Sequence, residues 1–219
     1  MSPMDVPRPA LTRDRIVSAA IGLIERRGAE AVSMRAIAAE LGVGVMSLYN
    51  HVPSKSALLD GVAERILGGV EFEAAPGEHW TDQVRGQCRA FRQIALHYPR
   101  STLVVMTRQL RAPSGLRPVE RALATLREAG FAGETAVHVF RAVIAYLTGS
   151  LLREVGVTPA LAPAPRDPAA LEDAVAAGFP HIAALAPVLG RCDHAAEFEF
   201  GLELLVRAIE ALPRDAAQV

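Results

Sequence analysis

The chain is nearly devoid of lysine. Of its 23 basic residues only Lys55 is a lysine, and 24 acidic residues leave a formal net charge of −1. No global basic field exists, so any nucleic-acid affinity has to come from a local patch, and a nonspecific nucleoid-like binder is disfavoured. Cysteine is almost as scarce. Cys88 and Cys192 match no metal-ligand spacing and build no disulfide framework, so free thiols in a reducing interior are expected. Aromatic residues make up 5% of the chain, and runs with strand periodicity are nearly missing. There is no uninterrupted apolar run of about 18 residues and no signal-peptide pattern, so a soluble cytoplasmic protein with no membrane partner is expected. A phosphate loop, a metal-spaced cluster and a nucleophile–base signature are lacking too. His181, His194 and Glu197 can be combined on paper, but at an undistinctive spacing. The sequence therefore reads as a protein that is not an enzyme, with no cofactor and no metal.

What is present is helix. Half of the 219 residues are apolar (51%), enough for a sizeable core, and they recur at three and four throughout. The pattern predicts helices over 13–27, 33–41, 45–51, 55–68, 81–98, 101–111, 116–129, 134–153, 169–177, 181–189 and 193–212. Thr81 is the expected cap of its helix. The segment VTPALAPAPRDPAA is too rich in proline to be helical before Pro168. Gly68-Gly69 and the stretch EFEAAPGEH mark a soft boundary. The fold class expected is all-α, with one domain over 1–70 and a larger helical domain over 71–219.

Residues 33–59, SMRAIAAELGVGVMSLYNHVPSKSALL, carry the most information. Ser33 is a good helix N-cap, and Ile37, Ala38 and Leu41 give the helix after it one buried stripe. Gly42 suits a left-handed position behind that helix, because without a Cβ it adopts positive φ readily. Val43 is an apolar plug. A second short helix ends before Val52-Pro53, since proline disfavours helical geometry in the residue ahead of it. Two helices joined by a short glycine turn form the motif that lays its second helix in the DNA major groove. Such pairs also occur in proteins that never touch DNA, so the chemistry of the second helix matters. Leu48 and Val52 are expected to face inward. Val45, Met46, Ser47, Tyr49, Asn50 and His51 then form an outer face, and no acid that would repel phosphate occurs from Gly42 to Leu59. Lys55 follows the N-cap candidate Ser54, where its ammonium and the first-turn amides can address a phosphate together.

Ser33, Ile37-Ala38, Gly42-Val43, Leu48-Tyr49, His51-Val52, Lys55 and Leu58-Leu59, after a helix ending in Arg27-Gly28, resemble the TetR family of transcriptional regulators. The rest of the chain is similar to its tetracycline-repressor branch at 80–98, at Gly130-Phe131 with the helix after it, and at GLELLVRAIE. The resemblance implies a three-helix helix-turn-helix domain that binds a double-stranded DNA operator, joined to a domain for ligand binding and dimerisation. It implies phosphate contacts from Ser33, Tyr49 and Lys55, and a guanine reader in Arg35, whose fork suits bidentate pairing. Val45, Met46, Ser47, Asn50 and His51 fall on the recognition helix. Val45 and Met46 can meet thymine methyls and Asn50 can pair with adenine. Met46 can equally be a partly exposed core residue, and His51 can instead orient the helix end.

The resemblance also implies a homodimer, with 134–153 and 193–212 meeting their copies in a four-helix bundle that suits a palindromic operator. The stripes are Ala136, Phe140, Val143, Ile144, Leu147 and Leu151 on the first helix and Phe198, Leu202, Leu205, Ile209 and Leu212 on the second. Ala142, Ala145, Gly149, Gly201 and Ala208 would allow close approach. A pocket for a small organic inducer is implied as well, with Gln87, Phe91, Ile94, Val105, Met106, Gln109, Leu123, Phe140 and Leu147 as candidate lining residues, some of them plain core. Tetracycline repressors carry a magnesium-holding histidine where Val105 stands, so an apolar or weakly polar organic ligand is the better expectation. His97 and His138 read as surface or satisfied histidines. The function expected is a repressor released from its operator by ligand. The alternative is an all-helical small-molecule carrier or enzyme with a merely structural helix-turn-helix.

Overall fold

The computed structural model describes residues 10–106, 113–155, 176, 178–189 and 191–214. The protein is all-α, with no strand among the described residues. The helices are α1 (Arg13–Arg27), α2 (Met34–Leu41), α3 (Val45–Tyr49), α4 (Lys55–Gly68), α5 (Trp80–His97), α6 (Pro99–Met106), α7 (Pro113–Glu128), α8 (Gly133–Glu154), α9 (Pro180–Leu189) and α10 (His194–Glu210). The helix expected over 169–177 and the last residues of the one expected over 101–111 lie outside the described residues. Two compact units form: Met1–Glu78 with Gly86–Thr125, and His79–Arg85 with Leu126–Val219.

In the first unit, the helix ends are set by local chemistry. The Thr12 hydroxyl accepts the Arg15 amide at 3.2 Å, Ser33 accepts Ala36 at 3.1 Å and Ser54 accepts Ala57 at 3.1 Å. Each satisfies an orphan donor of a first turn. Behind α2, Gly42 takes φ 65° and ψ 36°. The Val43 amide then reaches back to the Ala38 carbonyl at 3.0 Å, a Schellman-type closure. α3 is shorter than the helix expected to run to His51. The His51 and Val52 amides both donate to the Leu48 carbonyl, at 3.0 and 2.8 Å, which tightens the last turn ahead of Pro53.

α1, α2, α3, α4 and α6 surround one core, in which Ile16, Ala20, Ile24, Ile37, Leu48, Val52, Leu58, Val62 and Ile66 are fully or almost fully buried. α6 contributes Val104 and Val105 to it. The Glu25 carboxylate of α1 accepts the Ser101 amide at 2.7 Å and the Arg100 amide at 3.3 Å, capping the first turn of α6. α1 and α4 approach at Gly61, where a Cβ would stand 2.8 Å from Cγ2 of Val17. Gly61→Val should therefore destabilise the chain by about 1–3 kcal/mol in a denaturant titration. An unchanged midpoint would mean that these helices have slack at their crossing. The ion pairs Arg13–Glu64 (2.9 Å) and Arg65–Asp14 also link α1 to α4, but they are exposed and contribute little.

The second unit centres on α8 and α10, which pack along one another. Tyr146 of α8 fills the space above Gly201 of α10, where a Cβ would meet its ring at 2.7 Å. The Tyr146 hydroxyl donates to the Phe198 carbonyl at 2.5 Å. The close approach expected at Gly201 is thus made within one chain. Arg85, in the part of α5 that belongs to this unit, reaches Glu203 at 2.9 Å. Hydrogen bonds from Arg207 and then Arg85 hold the Glu203 carboxyl below the usual carboxylate range. Trp80 meets Phe131 edge-on at 5.8 Å, and the Arg214 guanidinium lies 4.1 Å above the Phe131 ring.

One expectation is corrected here. α5 begins at Trp80, so Thr81 is inside its first turn and is not the cap. The His79 carbonyl accepts the Asp82 and Gln83 amides, and the His79 imidazole Nδ1 accepts the Thr81 amide at 3.4 Å, so histidine closes that helix end. α8 is 22 residues long and, at a mean hydropathy of 1.4 over its best window, apolar enough to cross a membrane by length and composition alone. It passes because its apolar residues serve the α10 contact on one side and also include Val137 and Ile144, which are exposed.

Candidate nucleic-acid interface

α2 and α3 are held by their inner faces. Leu48 is completely buried and Val52 almost so, while Val45 is half-buried against the same core. With those positions inside, the five-residue α3 turns Met46, Ser47, Tyr49 and the following Asn50 and His51 outward. Met46 is 75% exposed, which removes the reading of it as core, and Tyr49 is 43% exposed. Burying the short helix through one leucine and a flanking valine leaves an apolar thioether, an amide, an imidazole and hydroxyls in solvent. That combination suits the methyls and hydrogen-bonding edges of a major groove.

The flanking residues complete the surface. Ser33 is exposed, and its hydroxyl accepts the Ala36 amide, which leaves its O–H free to donate to a phosphate oxygen. Arg35 and Lys55 stand exposed in the first turns of α2 and α4. Neither forms an ion pair among the described residues, so both cations remain available to phosphates or base edges.

Two stretches of the chain match described families: residues 16–62 match "Bacterial regulatory proteins, tetR family", and residues 73–212 match "Tetracyclin repressor-like, C-terminal domain". The protein belongs to the TetR family of transcriptional regulators. It is 32% identical over 212 residues to an HTH-type transcriptional regulator of Saccharopolyspora erythraea, covering 93% of this chain and 86% of that one. It is 30% identical over 167 residues to the class D tetracycline repressor protein of Escherichia coli, covering 72% and 73%. The crystal structure of apo ActR from Streptomyces coelicolor superposes with a TM-score of 0.79 at 32% identity, over 93% of this chain and 96% of that one. ActR in complex with actinorhodin gives the same score and identity over 93% and 98%.

In this TetR-family chain the helix-turn-helix is a DNA-binding element. The candidate ligand residues are distributed as follows. Val105 is buried in the core that α1, α4 and α6 share, with Phe91 and Ile94 packed on it. The Gln87 amide donates to the Thr125 hydroxyl at 2.8 Å, in the same unit. Met106 and Leu123 are half-buried, as is Phe140, while Leu147 is buried in the second unit. Gln109 lies outside the described residues. His97 is exposed, 4.4 Å edge-on from Tyr98, and His138 is exposed on α8.

A hollow of about 360 Å³ opens between α8 and α10, lined by Tyr146, Gly149, Ser150, Arg153, His194 and Glu197, with Ala145 beside them. None of the eight candidate ligand residues that are described lines it. Sequence reasoning missed this place because its lining combines small residues of one helix with charged residues at the start of another. It also missed Cys192, whose sulfur lies 3.3 Å from Nδ1 of His194. The paper grouping of His181, His194 and Glu197 is replaced by Cys192, His194 and Glu197, whose donor atoms lie within 4.8 Å of one another.

Proposed function

We propose that the protein is a repressor that holds a palindromic operator through two copies of its α3 and releases it when a small organic ligand binds. The observation that carries this reading is the outer face of α3, exposed at Met46, Ser47, Tyr49, Asn50 and His51, with no carboxylate from Gly42 to Leu59. In this reading residues 1–70 bind DNA and 71–219 serve ligand binding and dimerisation. Ser33, Tyr49 and Lys55 contact phosphates and Arg35 reads a guanine. Val45, Met46, Ser47, Asn50 and His51 face the base pairs.

Dimerisation is supported by apolar side chains that one chain leaves in water. Much of the expected stripe is internal: Ala136, Leu147, Leu151, Phe198, Leu202 and Ile209 are buried. Val137 and Ile144 on α8 are exposed, with Phe200 (69%) and Leu204 (55%) on α10. A second copy against these residues would remove them from solvent and set two α3 helices in two-fold relation, as a palindrome requires. The ligand is proposed as an apolar or weakly polar organic molecule, by analogy with the actinorhodin complex of ActR. Val105, standing where tetracycline repressors place a magnesium ligand, argues against a magnesium–tetracycline inducer. Nothing in this reading requires a cofactor, and the protein works in the cytoplasm, where its operator is.

Footprinting on DNA flanking the protein's own gene should reveal a protected palindrome whose affinity falls steeply with salt. Absence of sequence preference at moderate salt would overturn the reading. Lys55→Ala should weaken binding to all sequences about equally and lower the salt slope by about one unit. An unchanged slope would remove Lys55 from the phosphate contacts.

A further inference from the structure

We propose that Cys192, His194 and Glu197 form a binding site for a thiophilic divalent cation of the zinc class. Their donor atoms, one thiol sulfur, one imidazole nitrogen and one carboxylate oxygen, lie within 4.8 Å of one another. A tetrahedral zinc with bonds of about 2.3 Å to sulfur and about 2.0 Å to nitrogen spaces those two ligands about 3.5 Å apart. Cys192 Sγ already stands 3.3 Å from His194 Nδ1 and 3.7 Å from its Nε2. The Glu197 carboxylate is already a hydrogen-bond partner of the Cys192 thiol, so the third donor stands at the same place.

The backbone that carries these groups is pinned. Asp193, between the cysteine and the histidine, caps α10 by accepting the Ala195 and Ala196 amides at 3.1 and 3.0 Å. That fixes the entry of the chain into the helix, and Glu197 follows His194 by three residues on the same face. Glu197 also accepts from Arg153 at 2.8 Å through Oε2, leaving Oε1 to coordinate. Arg153 brings a positive charge close by, so it weakens cation binding while orienting the carboxylate. Beside His194 and Glu197 lies the hollow of about 360 Å³, with the Ser150 hydroxyl on its wall, giving a fourth ligand room to enter as water or a small donor. Binding replaces the S–H bond of Cys192 with a sulfur–metal bond and passes the proton to solvent, with no change of oxidation state. Sulfur, imidazole and carboxylate together select zinc-class ions over magnesium or calcium, which take oxygen ligands.

The test is a cobalt(II) titration of the full chain without an affinity tag. One equivalent per chain should bind, with a thiolate-to-cobalt charge-transfer band and the visible bands of tetrahedral cobalt, and zinc should displace it. Cys192→Ser should abolish the charge-transfer band, and His194→Ala should weaken binding at least about tenfold. Cys88→Ser, which removes the other, buried thiol, should change neither. Circular dichroism of each variant identifies any that fails to fold, and the Cys88→Ser spectrum then decides alone. Lack of a charge-transfer band in the unmodified chain, its persistence in Cys192→Ser or its loss in Cys88→Ser would each overturn the site. None of these readouts depends on DNA binding.

Discussion

Leu48→Ala is expected to lower the unfolding free energy by about 2–5 kcal/mol, the usual range for emptying a fully enclosed leucine site. Leu48 has no exposed surface, and it is the one residue of α3 that is fully buried. The short helix has little else to hold it, since five residues are far below the length at which a helix is stable alone. The paired change is Met46→Ala, on the opposite side of the same helix. With three quarters of its surface in water, Met46 should leave stability within about 0.5 kcal/mol of the parent. Urea titrations of both variants test the orientation of α3 without any DNA. Were Met46→Ala the more damaging substitution, α3 would present the wrong face and the proposed interface would fall with it.

Arg35→Ala is expected to reduce affinity for the preferred operator by about 1–3 kcal/mol and to flatten base preference at one position in each half-site. The guanidinium is exposed in the first turn of α2, beside the Ser33 cap, and forms no ion pair among the described residues. Its fork can therefore meet a guanine edge without first breaking an internal contact. Binding to a panel of singly substituted operators distinguishes the two roles an arginine can take there. Uniform weakening across the panel would make Arg35 a phosphate clamp and overturn its assignment as a reader.

The helix-turn-helix was legible because its punctuation is local. A serine hydroxyl, a left-handed glycine and a proline each act on backbone within a few residues, so Ser33, Gly42 and Ser54 mark helix ends from sequence alone, and Pro53 marks the end of α3 to within a few residues. Long-range pairing leaves no such mark. Nothing about Glu25 announces that it caps a helix 75 residues on, and nothing about Gly201 announces Tyr146. The start of α5 differs from the expected one because a serine or threonine is the usual cap, whereas the His79 imidazole takes that place by accepting the Thr81 amide. The Cys192 grouping was invisible for a similar reason. Its first member lies in the turn ahead of α10 and the other two on the helix, so no single periodicity relates all three.

The Glu25 carboxylate has a mechanical consequence. A helix gripped by its amides cannot slide along its axis while the gripping side chain stays still. α6 is thus coupled to the reading head by a second tether, through α1, alongside its broad packing on α4. Sliding α6 along its axis would break these two hydrogen bonds unless α1 moved with it.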